Sequence, residues 1–177
     1  EKVRELATRK NIVLIFDEIY TGWYKTGRMF NFMSHDVIPD IVTTSKSLGG
    51  GKASISAYIC RTPILKKSYG TNLRDAIIHS STYNGFGEEC ITAIEAINIM
   101  QEENYEEKSF NIEKIMNKRC KQLVNNFSNQ VKEHQGSGAL HGVFLKTDNL
   151  IIGKILKIVP ISITKDERFI SKLVASA

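Results

Sequence analysis

Two short apolar runs, each delivering a chemically distinctive group at its carboxyl end, constrain this chain more than any other feature. The first, Ile12-Val13-Leu14-Ile15-Phe16, runs directly into Asp17 and Glu18. The second, Ile41-Val42-Thr43-Thr44, is followed by Ser45-Lys46 and then by the triplet Gly49-Gly50-Gly51. Short apolar runs rich in β-branched residues and bounded by polar or turn residues predict strands, and the continuous apolarity of the first predicts burial on both faces. In open α/β sheets ligands lie beyond the carboxyl ends of the strands, which is where Asp17 and Lys46 fall. The glycines permit a tight turn beside the lysine and are not read as phosphate ligands themselves.

Further elements follow along the chain. Ala53 to Cys60 predicts another strand, ended by Arg61-Thr62-Pro63, and His79 to Gly87 a polar loop. From Glu88 the apolar residues Cys90, Ala93, Ile94, Ile97 and Met100 recur at helical spacing and predict one buried face. A second helix carries Ile112, Ile115, Met116, Cys120, Leu123, Phe127 and Val131 on one side, a stripe read as core. Gly136 and Gly138 interrupt the chain before a strand over Val143-Phe144-Leu145. Ile155 to Ile163 predicts one more strand, and Thr164 with Glu167 caps a last helix. No internal repeat is present.

Composition narrows the function classes. The 177 residues carry a net charge of +5, from 17 lysines and 7 arginines with acids mixed among them. That pattern argues against a nucleic-acid groove, where basic residues cluster with aromatics. No apolar run approaches the roughly 20 residues of a membrane-spanning helix. Cys60, Cys90 and Cys120 form no C-x-x-C pair, which predicts neither a disulfide framework nor a zinc site and suits a reducing, cytoplasmic compartment. His35, His79, His134 and His141 have no metal-ligand spacing, so no metal is assigned. Glu1 to Lys10 reads as the tail of a charged helix, and the sequence is expected to continue a longer protein.

A carboxylate on one strand end and a lysine on its neighbour suit pyridoxal phosphate chemistry. The lysine can hold the cofactor's aldehyde as a Schiff base, and the acid can keep the pyridine nitrogen protonated. A P-loop ATPase would also place an acid pair after an apolar strand. It is disfavoured because Lys46 stands where a Walker A loop begins with glycine, and Ala53 where it requires Ser or Thr.

The blocks FDEIYTGWYKTGRMF, PDIVTTSKSLGGG and HSSTYNGFGEECITAIEAI, in this order, resemble the class III pyridoxal-phosphate aminotransferases. The resemblance runs from Asn11 to about Leu145 and resumes near Leu156. It implies a fold type I, three-layer α/β cofactor domain, here partial over 1–104. A small α+β carboxyl-terminal domain follows over 105–177, apparently shortened between 145 and 156. It further implies a homodimer that transfers an amino group from an amino acid or amine to a 2-oxo acid. Asp17 matches the partner of the pyridinium nitrogen and Lys46 the Schiff-base lysine. Ser81 and Thr82 match the loop that reaches the cofactor phosphate of the opposite subunit.

The chain departs from the pattern at several positions. Tyr20 stands where a glutamine commonly contacts the cofactor's phenolic oxygen. Lys157 replaces an arginine that grips the substrate carboxylate, a point charge in place of a bidentate fork. Gln135-Gly136-Ser137-Gly138 replaces an arginine-glycine block. The glycine/serine phosphate loop and the aromatic that stacks on the cofactor are not visible before Asp17. Alternatives are therefore another enzyme of the same fold, namely a mutase, racemase or decarboxylase, or a truncated, catalytically inactive scaffold.

Overall fold

The computed structural model of the chain describes residues 1–70 and 82–146. It divides into two compact units, one comprising Glu1–Glu113 with Ser137–Leu140, the other Lys114–Gly136 with the chain from His141 onward.

The first unit opens with helix α1 (Lys2–Arg9), which carries Glu5 in its first turn and Arg9 in its last, each complementing the helix dipole. Strands β1 (Ile15–Asp17), β2 (Ile41–Thr44) and β3 (Ala57–Cys60) form a sheet in the order β1-β2-β3. β1 and β2 are parallel, with Ile15 opposite Ile41, Phe16 opposite Val42 and Asp17 opposite Thr43. β3 returns antiparallel, from Thr44 opposite Ala57 to Ile41 opposite Cys60. Asp40 clamps the entry to β2. Its carboxylate accepts from the Leu14 N–H (2.9 Å), Arg4 (2.7 Å) and Arg61 (3.1 Å), tying α1 and the residues flanking two strands to one buried acid.

Both predicted strands are trimmed. The β1 ladder begins only at Ile15, and that side chain is 54% exposed, so the expected two-sided burial is not supplied by this chain. Ala53–Ser56 is not strand, because the Lys52 and Ala53 N–H groups fold back onto the Gly49 carbonyl (3.0 and 2.9 Å). Thr62–Pro63 opens helix α2 (Thr62–Tyr69), where proline sits in the first turn at no hydrogen-bond cost.

The core gathers Trp23, Phe30, Val42 and Leu48 against Ala93, Ala96 and Met100 of helix α3 (Gly87–Glu102). Trp23 and Phe30 meet at 5.2 Å between ring centroids, and Phe30 stacks on Phe32 at 5.9 Å. The buried face of α3 is thus narrower than the spacing predicts, and Ile94 is 58% exposed. Alanines face inward because a backbone turn lies against them: a Cβ on Gly50 would stand 3.0 Å from that of Ala96.

Helix α4 (Tyr105–Asn126) begins in the first unit and ends in the second. Its predicted apolar stripe is only partly core. Cys120 is buried, whereas Ile112, Ile115, Leu123 and, just beyond the helix, Phe127 are exposed. Val131 is buried in strand β4 (Val131–Ser137), not on the helix. β4 pairs with β5 (Leu140–Leu145), so Gly136 lies within a strand and only Gly138, at φ +59°, makes the bend. The strand over 155–163 and the helix from Thr164 lie outside the described residues.

Candidate active site

The parallel register sets the site. Asp17 ends β1 opposite Thr43, whose hydroxyl donates to Asp17 Oδ1 at 3.1 Å while the Ile19 N–H donates to the same oxygen at 3.0 Å. Two donors therefore fix one carboxylate oxygen, and among the described residues Oδ2 takes none. Thr43 was not singled out in the sequence. Its role depends on register, and only the alternation of hydroxyls in Thr43-Thr44 hinted at it.

Glu18 is a different kind of acid. It is 3% exposed, Oε1 accepts from the Phe32 N–H (3.0 Å), and Oε2 accepts from the Asn31 N–H (3.1 Å) and the Thr21 hydroxyl. It anchors the loop that follows β1. Gly22 completes that loop where any side chain would meet the Glu18 carbonyl at 2.8 Å. Trp23 then reaches back to β2, its indole N–H donating to Thr44 Oγ1 at 2.5 Å.

At the end of β2, Ser45 donates its hydroxyl to the Ile55 carbonyl (2.9 Å), and Lys46 turns the chain with a left-handed backbone, φ +48°. Lys46–Gly49 forms a single 3₁₀ turn, closed by Gly50 at φ +59°. The Lys46 side chain is exposed, with Nζ 4.0 Å from the centroid of the Tyr20 ring. Tyr20 and Lys46 line an open groove of about 1150 Å³ together with Lys25, Lys52, Glu95 and Tyr105. Three lysines against one glutamate make the groove attractive to anions.

The structure therefore brings Tyr20 to Lys46, whereas Asp17 ends the neighbouring strand β1 and is not among the residues that line this groove. Thr82 is exposed in the turn before α3 and does not line this groove. Ser81 and Lys157 lie outside the described residues. Among the described residues there is no cluster of three or more metal-ligating side chains, and no helix is long and apolar enough to cross a membrane.

Residues 1–160 match the family described as Aminotransferase class-III. The chain is 35% identical over 157 residues to acetylornithine aminotransferase of Methanocaldococcus jannaschii, covering 88% of this chain and 37% of that protein. It is 33% identical over 144 residues to the mitochondrial ornithine aminotransferase of Rattus norvegicus, covering 81% of this chain and 31% of that one. Among solved structures, ornithine aminotransferase from Toxoplasma gondii superposes with a TM-score of 0.74 at 29% identity, over 82% of this chain and 33% of that one. A second structure of the Toxoplasma enzyme is described with partial occupancy of pyridoxal phosphate at its active site. The chain spans about a third of the length of the relatives it matches.

Proposed function

This chain belongs to the class III aminotransferases, and from that premise we propose that it carries the lysine-bearing part of a pyridoxal-phosphate site that moves an amino group from an amino acid or amine to a 2-oxo acid. The observation that carries this reading is the β1–β2 register. It sets the Asp17 carboxylate against Thr43, three residues before Lys46, at the carboxyl end of two neighbouring parallel strands.

The residues present fit the cofactor. Asp17 is held by Thr43 and Ile19 through Oδ1, which leaves Oδ2 to accept a hydrogen bond from a protonated ring nitrogen. Lys46 offers an exposed primary amine on a turn braced by α3. The lysines of the groove match the charge of an anionic ligand. When bound, pyridoxal phosphate supplies an aldehyde for the lysine and a ring that accepts the electrons left on a substrate carbon. Once an incoming amine has displaced it from that aldehyde, Lys46 Nζ would be the free amine placed to take the substrate's α-proton and to give it back, as general base and acid in turn.

In the same reading Tyr20 contacts the cofactor, Ser81 and Thr82 serve the phosphate of a partner subunit's site, and Lys157 receives the substrate carboxylate. Residues 1–104 form part of the cofactor domain and 105–177 the smaller one, in a cytoplasmic homodimer. The relatives cited above are aminotransferases, which favours amino transfer over a mutase, racemase or decarboxylase reaction.

Borohydride reduction of the full-length protein with cofactor, followed by peptide mapping, tests the assignment. The pyridoxyl group is expected on Lys46 and absent in Lys46→Ala. Its recovery on Lys52, or an unchanged cofactor spectrum in Lys46→Ala, would overturn the reading.

A further inference from the structure

We propose that the face of the Tyr20 ring is the resting place of the Lys46 ammonium, making Tyr20 the positioning residue for this lysine. The catalytic part of the inference rests on the reading of Lys46 given above. The contact itself does not.

The Lys46 Nζ lies 4.0 Å from the Tyr20 centroid, inside the 6 Å or so over which an aromatic face attracts a cation. Tyr20 is 59% exposed, so its ring is not committed to the core. The segment bearing Tyr20 is pinned just before it, where the Ile19 N–H meets Asp17 Oδ1, and Lys46 is fixed by the turn it opens. Two anchored backbones thus present a flexible ammonium to a π face. The contact is made by the ring and not by the hydroxyl, and the quadrupole of the ring face attracts an ammonium placed over it. A lysine that picks up a proton and gives it back needs a place to wait in its protonated form, close to the reacting carbon. Tyr20 supplies that place beside the Asp17 strand end.

The test uses the full-length protein stripped of cofactor, labelled with a trace of acetic anhydride at pH 8 and mapped by peptide. Lys25 and Lys52 of the same groove serve as internal standards for an intact fold. Tyr20→Leu and Tyr20→Gln are each expected to raise Lys46 labelling about threefold relative to those standards, and Tyr20→Phe to leave it unchanged. In the loaded enzyme Tyr20→Leu should lower kcat by a similar factor with KM unchanged. Unchanged Lys46 labelling in Tyr20→Leu, or a Tyr20→Phe response equal to that of Tyr20→Leu, would overturn the proposal. Because the labelling needs no cofactor, trapping of the pyridoxyl group on another lysine would defeat the functional reading and leave this result standing.

Discussion

Asp17 and Glu18 are adjacent acids put to opposite uses. Asp17 is exposed at a strand end with one oxygen held by two donors, whereas both oxygens of Glu18 are spent inside the protein on Asn31, Phe32 and Thr21. Asp17→Asn is therefore expected to unfold at the wild-type urea midpoint while losing most single-turnover activity in the full-length enzyme. Glu18→Gln must turn an amide N–H₂ toward a backbone donor. It should lose about 2 kcal/mol of stability in the same urea measurement. Asp40 is a third acid with a third use. The Leu14 N–H foremost, then Arg4 and Arg61, hold its carboxyl below the usual carboxylate range against the opposing pull of burial. A depressed folded value means that the stabilisation is complete above the unfolded value, near pH 4, and drains away as pH falls toward the folded one. Asp40→Asn should lose about 3 kcal/mol at neutral pH, since it leaves Arg4 without its partner. It should also show a shallower loss of stability than the wild type as pH falls below about 4, as read by urea titration at each pH.

The turn over Lys46–Gly51 is the element that joins the lysine to the rest of the fold. Gly50 and Gly51 both have positive φ, at +59° and +77°, but only Gly50 lies against α3, where Ala96 would be 3.0 Å from an added Cβ. Gly51→Ala should cost only the backbone strain, about 1 kcal/mol, and Gly50→Ala about 2 kcal/mol or more by denaturation, because overpacking adds to the strain. Equal costs would show that the turn does not bear on the helix. The sequence made the strand ends, the lysine and the glycine turn legible because each is a local pattern. On the inward face of α3 it had Ala93 and Met100 right, but it included Ile94, which is exposed, and passed over Ala96, which lies against Gly50. Reading Pro63 as a terminator concealed α2, because proline is as good an opening residue as a closing one. The Tyr20 contact with Lys46 and the Thr43 bond to Asp17 span distant parts of the chain and become visible only in three dimensions.

At the scale of the whole chain, Val3, Ile12, Val13, Ile15, Ile38 and Ile59 all leave large apolar side chains exposed in the first unit. The chain spans about a third of its relatives' length. The resemblance puts the phosphate loop and the stacking aromatic outside the three blocks that carry Asp17, Lys46 and Thr82. Within the described groove the ligand would meet lysines and two tyrosine rings, Tyr20 and Tyr105, but no other aromatic. The 177-residue chain expressed alone is therefore expected to bind pyridoxal phosphate weakly and to transfer no amino group, and a protein of the relatives' full length is expected to do both. Each charge-assisted hydrogen bond that the chain does not supply removes about 1.5 to 3 kcal/mol, so two of them weaken binding by roughly a hundredfold or more. Thr82, exposed ahead of α3, does not line this groove. Absorbance titration of the isolated chain against the full-length protein measures the difference. Stoichiometric capture by the isolated chain at micromolar cofactor, with amino transfer, would show that Asp17, Lys46 and their immediate neighbours suffice.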